Sequence, residues 1–128
     1  MDASKLRQEI RRLNTERSRL LNRVMRPRKM VNGSLYRMGR SCGNPNCKCA
    51  RGEKHFSWYL SRKIERKTKL TYIGRIVPAW LAESVKRYQR HQKLLARIRK
   101  ADSRISDCLN QLRDAMVQTI EEARKKHQ

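Results

Sequence analysis

The chain has 128 residues, 33 of them Lys or Arg against 11 Asp or Glu, for a formal net charge of +22 and an isoelectric point near 11.1. With 38% hydrophobic and 5% aromatic residues there is little material for a globular core, so stability must come from helix pairing, a metal and self-association. The charge opposes compaction through self-repulsion and calls for a polyanionic partner, while the few scattered acids and the absence of a glycine-rich phosphate loop argue against an enzyme.

Residues 1–30 form the first segment, and residues 2–26 within it read as a helix. Leu6, Ile10, Leu13, Arg17, Leu20 and Val24 alternate steps of four and three, which is a heptad seam with leucine at d and Arg17 as a register-setting polar residue. Pro27 ends the helix. Lys5, Arg12, Arg19 and Arg26 recur every seventh residue, either as a solvated face or as phosphate contacts.

Residues 31–76 read as a zinc-knuckle β module. Cys42, Cys47, Cys49 and His55 supply three thiolates and an imidazole, the donor set of a closed, structural, tetrahedral Zn2+ site. Gly43 and Pro45 give turn chemistry between the first two thiols, and Cys47 and Cys49 leave extended backbone on one face. Four ligands leave no open position for catalysis, and a reduced, metal-free loop or a disulfide is the alternative reading of these cysteines. Ser34 to Met38 is expected as a short strand entering the knuckle. Two β-like runs, Phe56 to Lys63 and Thr68 to Ile73, are expected as a hairpin turning at residues 64–67. Arg62, Lys63, Arg66, Lys67 and Lys69 crowd its tip, with Arg51 and Lys54 nearby, so these are candidate nucleic-acid contacts. Trp58, Tyr59 and Tyr72 serve either as the module's core or as base-stacking rings.

Several landmarks of this module carry a resemblance: Gly33 to Tyr36, Cys42 through Gly52, His55, Tyr59 to Arg62, Lys67-Thr68 and Tyr72-Ile73. Over roughly residues 33–90 the chain resembles a family of small, basic, uncharacterised prokaryotic Cys3His zinc-knuckle proteins often encoded beside transposases or recombinases. It departs from them at Phe56-Ser57-Trp58, where the family more usually has a Gly-Pro-aromatic turn. The resemblance implies zinc and a mobile-element or phage setting, and brings no mechanism with it.

Residues 77–128 are expected as one long helix opened by Pro78, about 72 Å if continuous to Lys126, since no further glycine or proline interrupts it. Leu81, Val85, Tyr88, Gln92 and Leu95 form one seam, and Ile105, Leu109, Leu112, Met116 and Ile120 form another, with a slip near Ile98 that implies a local change of supercoil or a kink. Cys108 beside the second seam reads as a small buried hydrophobe. Lys86, Arg90, Lys93, Arg97, Lys100 and Arg104 share one face, and no acid lies between Ser84 and Ala101. That ridge, about 27 Å long, is the second set of candidate phosphate contacts. After Ala101 mixed charge returns, as in an oligomerisation segment.

The expected fold is therefore mainly α: two long helices forming an antiparallel coiled-coil hairpin around a small β-hairpin and zinc-knuckle module. The first helix would cover only the first half of the second, and the unpaired remainder would recruit another copy into a homodimer or higher oligomer. The expected function is that of a zinc-containing, duplex-DNA-binding regulator or architectural subunit for a transposase or recombinase. An RNA-binding protein for a structured guide or ribosomal RNA is the alternative, and a coiled-coil scaffold for an acidic protein the third. No signal peptide or membrane span is legible, so a cytoplasmic protein, nucleoid-associated where it binds DNA, is expected.

Overall fold

The structure is a computed structural model and describes residues 2–40, 43–52 and 54–127, with backbone alone at Cys49 and Ala50. Among these residues the chain forms α1 (Ala3–Val24), β1 (Ser34–Arg40), a short 3-10 turn (Lys48–Arg51), β2 (His55–Ile64), β3 (Lys67–Gly74), α2 (Ala79–Met116) and α3 (Ile120–Lys126). The chain divides into two compact units: Met1–Arg26 with Lys93–Gln128, and Pro27–Gln92.

The first unit is built on the leucine seam. Asp2 caps α1 by accepting a hydrogen bond from the Lys5 backbone at 2.8 Å, and Leu6, Leu13 and Leu20 are buried. Leu6 and Leu13 pack with Cys108, while Ile10, Ile105 and Leu112 close the cluster. Ion pairs join Glu9 to Arg104, Glu16 to Arg97 and Arg17 to Asp102, so the two chain segments run in opposite directions. Arg17, the polar residue in the seam, thus meets a carboxylate.

In the second unit three strands form an antiparallel sheet in the order β1-β2-β3. Leu35 stands opposite Leu60 in the register, and Leu60 opposite Thr71. Alternation sends Leu35 and Leu60 to one face, where Leu60 packs with Leu81 and Val85 of α2 and with Val31, Ile73 and Val77. The Val31 amide also donates to the Ser84 carbonyl at 3.1 Å, which ties the approach to β1 against the helix. Gly33, at φ +135°, permits that approach, because a Cβ there would sit 2.8 Å from the Ser61 carbonyl oxygen and 2.9 Å from Leu60 Cδ1.

These findings correct the expected architecture of two long helices in an antiparallel coiled-coil hairpin around a β-hairpin. Among the described residues the chain has three α-helices and a three-stranded antiparallel sheet. Ser34–Arg40 is a full strand paired along seven residues with β2, and β2 is the central strand. Leu81 and Val85 near the start of α2 are satisfied by the sheet, so α1 pairs with the later part of α2, around residues 97–112, and not with its first half. The terminal helix is also shorter than expected. It stops at Met116, and Thr119 starts α3 by accepting from the Glu122 backbone, in the Ser/Thr-x-x-Glu pattern of a capping box. Through Ile98, where a slip was expected, α2 is one uninterrupted helix. No helix among the described residues is long and apolar enough to cross a membrane.

Candidate nucleic-acid interface and metal centre

The loop between β1 and β2 carries the expected metal ligands. Asn44 shapes it twice: its side chain accepts from the Asn46 backbone at 3.0 Å and its carbonyl from the Cys47 backbone at 3.1 Å. Cys47 then leads into the 3-10 turn, which Gly52 closes in a left-handed conformation by donating to the Lys48 carbonyl. His55 opens β2, opposite Arg40. The outcome is that the Cys47 Sγ and His55 Nε2 lie 3.1 Å apart, although eight residues separate them. A shared tetrahedral zinc would hold such a pair roughly 3.5 Å apart, given its usual bond lengths. Thiolate and imidazole are also the donor types that structural zinc takes. Cys42 and the side chain of Cys49 lie outside the described residues. Among the described residues no group of three or more His, Cys, Asp and Glu side chains is gathered.

The candidate phosphate contacts fall on several elements. Arg51 and Lys54 are exposed on either side of Gly52. Arg62 and Lys63 end β2, Lys67 and Lys69 begin β3, and Arg66 lies in the two-residue turn between them. That turn holds both Glu65 and Arg66 in the left-handed region, at φ 50° and 68°, the conformation of a type I′ hairpin. Lys69 stands opposite Arg62. The Arg62 Nε is buried and has no hydrogen-bond partner among the described residues. Beside it opens a shallow cleft of about 460 Å³, lined by Ser34, Ser61, Lys63 and Thr68 from the strands and by Gln89 and Gln92 from α2.

The ridge on α2 differs in one respect from its sequence pattern. Arg97 and Arg104 meet Glu16 and Glu9 of α1, at 3.6 and 3.2 Å, and Arg90 meets Glu83 at 3.8 Å. No carboxylate pairs with Lys86, Lys93 or Lys100 among the described residues. The three arginines are therefore partly neutralised, and the three lysines present the ridge's uncompensated charge. Glu9 is the most strongly engaged acid. The Arg12 guanidinium hydrogen-bonded to it, with Arg104 adding, pulls its carboxyl from the usual 4.5 to about 2 against some opposing desolvation. Arg12, a candidate phosphate contact on α1, is correspondingly committed to Glu9, with Glu16 at 3.7 Å. Inspection of the stretch from Ser84 to Ala101 misses this pairing, because its acids lie outside that stretch, Glu9 and Glu16 on α1 and Glu83 one residue ahead of it.

The aromatic cluster also rearranges. Trp58 shares the face of Leu60 by alternation, whereas Tyr59 and Tyr72 point to the other face and are joined there by Tyr36. Tyr36 was missed as a site residue. The signal for it was its place between Ser34 and Met38 on an alternating strand, readable only once β1 is paired to β2.

A family profile described as a domain of unknown function (DUF6788) matches residues 4–83, more than half of the chain. The matched stretch includes α1 from its second residue, the loop between β1 and β2, the whole sheet and the first residues of α2, and stops before Lys86. Comparison with curated proteins and with solved structures finds no match.

Proposed function

The chain belongs to the DUF6788 family, and from that premise we propose that it is a zinc-containing nucleic-acid-binding accessory protein whose principal partner is duplex DNA. The observation that carries the reading is the distribution of charge on the sheet. Each strand holds two cations, Arg37 and Arg40, Arg62 and Lys63, Lys67 and Lys69, and no strand holds an acid. A basic surface of this kind neutralises phosphates and releases their counterions, so affinity is expected to come mainly from charge. Lys86, Lys93 and Lys100 on α2 are a separate set of cations without a carboxylate partner among the described residues. Structured RNA would engage the same cations and is the second reading.

Zinc belongs to this proposal through Cys47 and His55, already 3.1 Å apart, with Cys42 and Cys49 as the remaining ligands. The ion would cross-link the loop between β1 and β2 and hold Arg51 and Lys54 in place. A structural site of this donor set contributes folding energy rather than chemistry. A cytoplasmic, nucleoid-associated location follows if duplex DNA is the partner. The exposed apolar residues Leu109, Met116, Val117 and Ile120 offer a surface for a homodimer or higher oligomer. In the mobile-element setting that the resemblance implies, a transposase or recombinase is the enzyme such an accessory would serve.

The test is the salt dependence of duplex binding. Replacing Lys86, Lys93 and Lys100 together with Gln should reduce the slope of log K against log salt by up to about 3, at roughly 0.9 per lost phosphate contact. A slope unchanged by the triple replacement would remove the ridge from the interface, and a wild-type protein that retains no nucleic acid at low salt would overturn the reading.

A further inference from the structure

The apolar cluster of the second unit uses only one face of the sheet. On the other face the register sets Tyr36 opposite Tyr59 and Tyr59 opposite Tyr72, so one tyrosine from each strand lines up across the sheet. Ring centroids are 6.2 Å apart in the first pair, tilted by 32°, and 5.6 Å apart in the second, nearly perpendicular at 72°. The Arg40 guanidinium lies over the Tyr59 ring, 5.1 Å from its centroid. Tyr72, at the open edge, is 63% exposed, and none of the three rings takes part in the core. Alternation puts Lys63 on this same face.

Cross-strand aromatic pairs do stabilise sheets, and Tyr59 between its neighbours serves that end. Sheet stability alone does not call for a largely exposed aromatic at the edge of the row, nor for a cation laid on the central ring. Both features match the needs of a single strand of nucleic acid. Its unpaired bases offer flat faces that stack on aromatic rings, and its backbone needs cations beside them. In a duplex the base faces are already stacked on one another, so phosphates remain available to the lysines and base faces do not reach the tyrosines. Charge decides against an apolar protein segment as occupant, because alternation places Arg40 and Lys63 on this face and none of the three strands carries an acid.

We propose that the open face of the sheet seats unpaired bases of single-stranded nucleic acid, with Tyr72 as the leading stacking ring and Arg40 and Lys63 beside it. The proposal deepens the nucleic-acid reading above and rests on it: a partner that is duplex over most of its length would present its unpaired end or melted segment here. Phosphate contacts hold both forms, and the tyrosines distinguish them.

The experiment uses the full chain and two labelled probes at one salt concentration, an oligothymidylate of about ten nucleotides and a duplex with the same number of phosphates. Tyr72→Ala is expected to weaken oligothymidylate binding roughly tenfold or more, as loss of a stacked base does, and to leave duplex binding unchanged. Tyr72→Phe, which keeps the ring, should bind as the native chain does. Tyr72→Leu keeps an apolar strand residue without a π face and should lose affinity as Tyr72→Ala does, which separates stacking from a loosened sheet. Unchanged oligothymidylate affinity in Tyr72→Ala, or an equal loss with both probes, overturns the stacking face and leaves the phosphate-binding reading standing. Failure of the native chain to hold either probe removes both.

Discussion

The two units of the chain carry nearly equal numbers of cations and treat them differently. Residues 1–26 with 93–128 contain 17 Lys and Arg against 8 Asp and Glu, and residues 27–92 contain 16 against 3. In the helical unit the acids lie where they meet arginines: Glu9 with Arg12 and Arg104, Glu16 with Arg97, Asp102 with Arg17. These pairs are largely at the surface, where each contributes little to stability. Their consequence is to direct charge, leaving Lys93 and Lys100 of the α2 ridge available and Arg97 and Arg104 occupied. The sheet unit has no such compensation on its strands. What separates a structural cation from one left for a partner is thus whether a carboxylate lies within ion-pair reach of it.

The largest effect should come from breaking the sheet unit alone. If zinc holds Cys47 and His55, then Cys47→Ser or prolonged chelation removes an ion whose binding is folding energy, worth on the order of 10 kcal/mol or more in small zinc modules. Amide hydrogen exchange is expected to accelerate at the loop and at the Arg40 and His55 end of the β1–β2 ladder. Protection along α1, buried through Leu6 and Leu13 against Cys108, should be retained. Zinc content by elemental analysis should fall from one equivalent to none. A chain that carries no metal as purified and keeps the same exchange pattern under chelation would refute the metal site.

A smaller effect separates the units by pH. Glu9 holds its carboxyl near 2 in the folded chain against an ordinary 4.5. A depressed carboxyl contributes stability that is fully present above about 4.5 and is lost as pH falls through about 2. Thermal melts of the native chain should therefore show the helical unit weakening across that window, and Glu9→Gln should flatten the dependence there. The same replacement frees Arg104, so affinity for a duplex probe should rise slightly at neutral pH. An acid transition identical in the two proteins would show that Glu9 does not link the helices.

Legibility followed the range of the interactions concerned. The helix over Ala3–Val24 was readable because Leu6, Leu13 and Leu20 repeat locally and Pro27 stops it, and the hairpin tip was readable from the two β-like runs around residues 64–67. The approach of Cys47 to His55 was also within reach, since Gly52 lies between them at φ 113° and lets the chain return. Long-range pairing was not readable. Leu81 and Val85 look like a coiled-coil seam in sequence, and only the presence of Leu35 and Leu60 on a paired sheet face shows why they are unavailable to α1. Likewise α2 ends at Met116 ahead of the Thr119 cap, although no Gly or Pro marks the break. Tyr36 joins the row of rings only through its register with Tyr59.

The smallest effect concerns the tip of the sheet, where structure and local preference disagree. A type I′ turn requires positive φ at both central residues and favours Asn followed by Gly, yet the chain places Glu65 and Arg66 there, at φ 50° and 68°. Each non-glycine residue in that region costs about 1 kcal/mol or more. Sequence optimised for stability alone would not choose this pair, and Arg66 at the apex among Arg62, Lys63, Lys67 and Lys69 is what the cost retains. Glu65→Asn keeps that arginine, relieves part of the strain and removes the one acid of the turn. It should raise thermal stability by about 0.5–1 kcal/mol and strengthen duplex binding by less than tenfold, the sign expected for a basic tip beside phosphates. A variant more stable but unchanged in binding would confine the tip to folding and leave nucleic-acid contact to α2 and the open face of the sheet.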